Sequence, residues 1–293
     1  MNLDIVLLYG ISAALCNACA DMFARSGLQR ISAFRGAAII IGGELLFLSI
    51  MLPLFGSSFP GGEMKYLWLL AAGMFHPGLF LVFFLIGIEK IGVSRAAPIK
   101  GSTPLFGALL AMFFLQERPT WVHLAGLVMV VGGIGLLTSR NPHGGWKRAD
   151  AAWPAAAALA FGAGSLLWRK GLDGLPDPLA ATFVGVLASL IVVGGYVMLT
   201  TRGAASAPGE SKRVYFLISG LTTGCGMYLY VRALQHGEIY RVLPLVQLSP
   251  LFTVALSMIF LRRVERVTWE VVAGAVITVT GAVLVALKPW AFS

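Results

Sequence analysis

Long apolar runs of nearly constant length alternate with short polar ones along the chain. The first half holds five: Leu3–Ala24, Phe34–Phe55, Tyr66–Ile88, Ser94–Leu115 and Trp121–Thr138. The second half holds Ala152–Trp168, Leu179–Leu199, Val214–Leu234, Val242–Leu261 and Trp269–Leu287. Each is close to the ~20 residues that an α-helix needs to cross ~30 Å of hydrocarbon. The pattern predicts an all-α membrane protein with ten transmembrane helices. Ser57–Met64 is a Gly- and Ser-rich turn, Thr200–Arg213 is the longest loop, and Ser139–Asp150 is a basic link between the halves.

The halves repeat one another. At a constant offset of 146, Arg95 matches Arg241, Pro98 matches Pro244, Pro104 matches Pro250, and Leu105-Phe106 matches Leu251-Phe252. At an offset of 148, Glu117-Arg118 matches Glu265-Arg266, Thr120-Trp121 matches Thr268-Trp269, and Gly133 matches Gly281. The organisation expected is a first repeat over 1–140, a linker over 141–150 and a second repeat over 151–293. Five helices per copy is an odd number, so the second copy enters the membrane from the opposite face. Inverted repeats of this kind characterise secondary transporters, with the substrate site near the bilayer midplane at broken helices. Pro98 and Pro104 interrupt the fourth run, and Pro244 and Pro250 the ninth, at matching points. Each proline removes an amide hydrogen bond, which lipid tolerates only against protein or a polar cavity. These four prolines are the expected hinges.

Composition agrees with this class. The 293 residues are 58% hydrophobic and 12% charged, against roughly 25% charged for soluble domains. A net charge of +9 in so apolar a chain is read as loop anchoring, not as nucleic-acid binding. Fourteen Lys and Arg flank the connections after odd-numbered helices and six those after even-numbered ones. The positive-inside rule places the richer face in the cytoplasm. Cys16, Cys19 and Cys225 form no disulfide framework and are read as small packing residues.

The series Ser102-Thr103-Pro104 to Glu117-Arg118, repeated as Ser249-Pro250 to Glu265-Arg266, resembles the EamA-type ten-helix members of the drug/metabolite transporter superfamily. That resemblance implies a basket of helices one to four and six to nine around a central cavity, with helices five and ten outside. It also implies export or exchange of small metabolites, often amino acids.

Polar residues within the apolar runs are the candidate substrate-binding groups. Lys100 lies between Pro98 and Pro104, where an ammonium costs about 3 kcal/mol to insert. It is the candidate binder of a carboxylate or phosphate. Glu44, at mid-helix, is its expected counter-charge and the candidate carrier for proton coupling. His76, beside Pro77-Gly78, can titrate near neutral pH. Asn17 and Asp21, four residues apart, share a helix face. Tyr228, Tyr230 and Gln247 are expected to line the cavity. Arg232, near a helix end, is read as snorkelling to the interface. Glu117 and Glu265 are read as closure elements.

The reading is a secondary transporter of a small polar metabolite, such as an amino acid or organic anion, in a bacterial inner membrane. No metal, other cofactor or nucleic acid is expected. A monomer and a homodimer are equally compatible. The alternative is a membrane-embedded enzyme using His76, Glu44 and Asp21 as acid and base. The sequence carries no metal motif, nucleophile elbow or phosphate-cradling loop to support it.

Overall fold

The computed structural model describes residues 5–27, 33–56, 59, 63–91, 93–138, 147–173, 175, 177–200, 210–260 and 269–286. All regular structure among them is helical. The first two spans are α1 (Ile5–Gly27) and α2 (Ala33–Leu54). The third joins α3 (Glu63–Gly73) to α4 (Phe80–Ile91) through a π-helical turn, Met74–Leu79. The fourth is α5 (Val93–Lys100) with α6 (Thr103–Phe114), and the fifth is α7 (Trp121–Thr138). The second repeat runs α8 (Ala152–Leu172), α9 (Pro178–Thr200) and α10 (Glu210–His236). Its ninth span is α11 (Ile239–Val246) with α12 (Ser249–Phe260), and its tenth is α13 (Trp269–Ala286). The ten apolar runs thus form ten spans, three of them broken.

The breaks have local causes. His76 has extended backbone angles, φ −141° and ψ 116°, just before Pro77, which has no N–H to give. In the fourth span the break falls at Gly101-Ser102, and Pro104 is the second residue of α6. A continuous helix would pair the Pro104 nitrogen with the Lys100 carbonyl. The Thr103 hydroxyl donates to that carbonyl instead, at 2.7 Å, and the Ser102 hydroxyl donates to the Ile99 carbonyl at 2.6 Å. In the ninth span the break falls at Gln247-Leu248, and Pro250 is again the second residue of its half-helix. Proline is well suited to that position, because the first N–H groups of a helix lack partners within it.

Helix packing closes a ring. α1 packs on α10, α10 on α2, α2 on α9, α9 on α3, α3 on α8, α8 on α6 and α6 on α11; the ninth span then returns to α1. α7 and α13 pair with one another outside the ring, as the resemblance implied. Around the ring every neighbour comes from the other repeat. The halves are contiguous in sequence and interleaved in space.

Backbone contact sets these seams. A Cβ on Gly43 would lie 2.9 Å from the Gly220 Cα, and one on Gly73 would collide with the Gly185 carbonyl. Lipid supplies no hydrophobic drive between helices, so such close approach is what holds them. Large apolar residues point outward, among them Ile191 at 71% exposure. Trp121 and Trp269, at the starts of α7 and α13, are also exposed, as befits residues at a membrane interface.

Candidate functional site

The third, sixth and eighth spans project the inner layer. His76, Phe80 and Phe84 follow one another at four-residue spacing along one stripe. On α8, Phe161, Ser165 and Trp168 form a second stripe. The His76 ring stacks on Phe161 at 3.7 Å between centroids and meets Tyr230 edge-on at 5.5 Å. The Trp168 indole donates to the His76 carbonyl at 3.1 Å and fixes the irregular turn. The Tyr230 and Ser165 hydroxyls share a 2.7 Å hydrogen bond. α8 and α10 are not neighbours in the ring, so these contacts cross its interior.

Lys100 joins this layer. Its Nζ lies 5.1 Å from the Phe84 centroid and 5.7 Å from that of Phe80. Ring faces attract a cation at such distances. Lys100 lies within electrostatic reach of His76 and of Asp21 of α1. Asp21 is exposed, whereas the His76 Nδ1 is buried without a hydrogen-bond partner.

The expected partnership of Glu44 with Lys100 is corrected. No ion pair joins them; Glu44 is buried, its Oε2 has no partner, and its backbone lies against Gly224 of α10. The reason is topological. Neighbours alternate between repeats, so α2 faces α10 and α9 rather than the fourth span. Asn17 lies one turn before Asp21, with its Oδ1 against Gly226 of α10. Gln247 sits at the break of the ninth span, with its Nε2 buried and unpartnered. Tyr228 is half-buried, one turn from Arg232.

Arg232, read from the sequence as snorkelling, is half-buried one turn from the end of α10. It donates to the Tyr9 hydroxyl and to the Gln235 side-chain carbonyl, each at 3.2 Å, and lies 5.3 Å from the Tyr9 ring centroid. Tyr9, Ser165 and the phenylalanines were not singled out in the sequence, although their stripes on the third and sixth spans are legible there.

Hydrogen bonds between elements cluster at the face that carries the connections after even-numbered spans. Arg169 donates to the Leu234 and Gln235 carbonyls at 2.7 and 3.1 Å, and the Gln235 amide donates to the Leu175 carbonyl at 3.1 Å. Glu117 of the first repeat accepts from the Ile239 and Tyr240 amides, at 2.9 and 3.3 Å, and so caps α11 of the second. Burial pushes the Glu117 carboxyl above the usual carboxylate range, although those two amides oppose the rise. Glu265 and Arg266 lie outside the described residues. Among the described residues no group of three His, Cys, Asp or Glu is placed to hold a metal ion.

Ten spans in two inverted repeats, with polar groups held inside an eight-helix ring, define an integral membrane protein of transporter architecture. The chain belongs to the EamA-like transporter family, whose profile matches residues 4–139 and again 151–287. It is a membrane transporter. It is 32% identical over 133 residues to phosphoenolpyruvate/phosphate translocator 3, chloroplastic, of rice; that match covers 44% of this chain and 33% of the translocator. An uncharacterized transporter of Archaeoglobus fulgidus is 22% identical over 97% of this chain and 98% of its own. The uncharacterized transporter YcxC of Bacillus subtilis is 24% identical over 73% and 71%. A solved crystal structure superimposes with a TM-score of 0.80 over 95% of both chains at 17% identity, a likeness of fold.

Proposed function

We propose that the protein is an exporter or exchanger of a small organic anion, a carboxylate or phosphate ester, working by alternating access in a bacterial inner membrane. The observation that carries this reading is Lys100, an ammonium in the ring interior against two aromatic rings, with His76 beside it. An anionic group fits between them: Lys100 supplies charge, His76 a ring nitrogen without a partner, and the Tyr230 hydroxyl a further polar contact. Rice phosphoenolpyruvate/phosphate translocator 3 supports an anion over an amino acid as the cargo. Asn17, Tyr228 and Gln247 complete the proposed lining, and Asp21 is the proposed counter-charge that the anion displaces. Glu44, buried apart from Lys100, is the proposed site of proton coupling. Pro98, Pro104, Pro244 and Pro250 mark the proposed hinges.

The test is exchange in liposomes loaded with phosphate and supplied with labelled phosphoenolpyruvate, phosphate or amino acids outside. Uptake of the anions, lost in a folded Lys100→Gln protein, is expected. Uptake of amino acids alone overturns the reading. Recovery of the cargo chemically unchanged separates a carrier from an enzyme.

A further inference from the structure

Arg232 follows Tyr230 of the His76–Phe161–Tyr230 layer by two residues along α10, toward the face of the even-numbered connections. Lys100 is in α5, which begins at the face of the odd-numbered connections. Arg232 is one turn from the end of α10, at the face of the even-numbered ones. The two cations also come from different repeats.

The direct partners of the Arg232 guanidinium are polar and uncharged. Its two Nη groups engage the Tyr9 hydroxyl and the Gln235 carbonyl oxygen, and its Nε is buried with no acceptor. Among the described residues no carboxylate forms an ion pair with it. Tyr9 is also stacked by His236, at 6.1 Å between centroids. Tyr228, one turn back along α10, feels the Arg232 charge, and Asp177 acts on the same tyrosine from the start of α9. α2 stands between α9 and α10 in the ring, so Asp177 acts on Tyr228 from a span that is not its ring neighbour. An unmatched buried N–H on a charged group is costly. That cost is relieved by an anion docked on the Nε edge, beside the Tyr9 hydroxyl that the guanidinium already engages.

We infer that Arg232, with Tyr9 and Tyr228, forms a second binding station for the carboxylate or phosphate group of the cargo. It serves the face opposite the one that Lys100 serves. The inference rests on the proposed anion transport and adds where the anion waits before or after the central layer.

The probe is radiolabelled inorganic phosphate, with the full chain in lipid nanodiscs and tryptophan-monitored melting as the control for folding. The Lys100→Gln protein should retain saturable phosphate binding. Adding Arg232→Gln should raise its Kd at least ~10-fold, the loss expected for one charge-assisted contact. Tyr9→Phe and Arg232→Lys, gentler changes in the same background, should raise it roughly threefold by the same reasoning, and they decide the matter if Arg232→Gln does not fold. If Lys100→Gln alone abolishes binding, or Arg232 variants bind as their parent does, the second station is refuted while the central reading stands. If the unaltered protein binds no phosphate or phosphoenolpyruvate, the anion reading falls and the station with it.

Discussion

Cys16 and Cys225 face one another across the α1–α10 seam, with 3.9 Å between their sulfur atoms. One comes from each repeat. The sequence shows only three scattered cysteines; the fold makes two of them a pair. A disulfide forms at about 2.05 Å between sulfurs, so a small approach of the helices suffices. A mild thiol oxidant such as diamide should join Cys16 to Cys225, detected as a linked peptide by mass spectrometry and abolished by Cys225→Ser. Because α1 and α10 belong to different repeats, the link should also arrest transport reversibly. A fully linked protein that transports normally would show that this seam does not slide.

Thr103 and Pro104 set the position of Lys100. The Thr103 hydroxyl satisfies the Lys100 carbonyl that Pro104 cannot. Thr103→Val should leave that buried carbonyl unmatched, at about 1–3 kcal/mol, and should weaken anion binding measurably. Pro104→Ala restores an amide that competes for the same carbonyl and straightens the span. Transport should then slow by more than affinity falls. Normal turnover per folded molecule in both variants would remove the break from the mechanism.

Gly73 and Gly185 test the seams. A methyl group on Gly73 meets the Gly185 backbone, whereas one on Gly194 meets nothing within 4 Å. Gly73→Ala should cost about 1–3 kcal/mol through overpacking, and Gly194→Ala should be neutral. Equal melting temperatures for the two variants would deny the close contact of α3 and α9.

Glu117 should give the stability of the protein a pH dependence. Its folded pKa lies above its ordinary value, for which ~4.3 is the reference, chiefly because of burial. Its contribution is therefore full below that reference and is lost as pH rises through the raised folded value. The melting temperature of the wild type should fall over that window. Glu117→Gln, which cannot ionise, should flatten the fall. Parallel curves for the two proteins would place the charge elsewhere.

Much of this architecture is legible in the residues alone. Helix length, span number, the inverted repeat and the breaks before Pro104 and Pro250 follow from hydropathy and from missing amides, which act within a turn or two of chain. The stripe His76, Phe80, Phe84 follows from helical spacing. The order of helices around the ring does not. Every span presents lipid-compatible side chains, so apolarity does not say which span faces which. That choice is made by backbone fit at sites such as Gly43–Gly220 and Gly73–Gly185, where two distant stretches must match in shape. Interleaving of the repeats then decided what reading along the chain could not. Glu44 lies apart from Lys100, and Cys16 meets Cys225. Arg232 meets Tyr9, from the far end of the sequence.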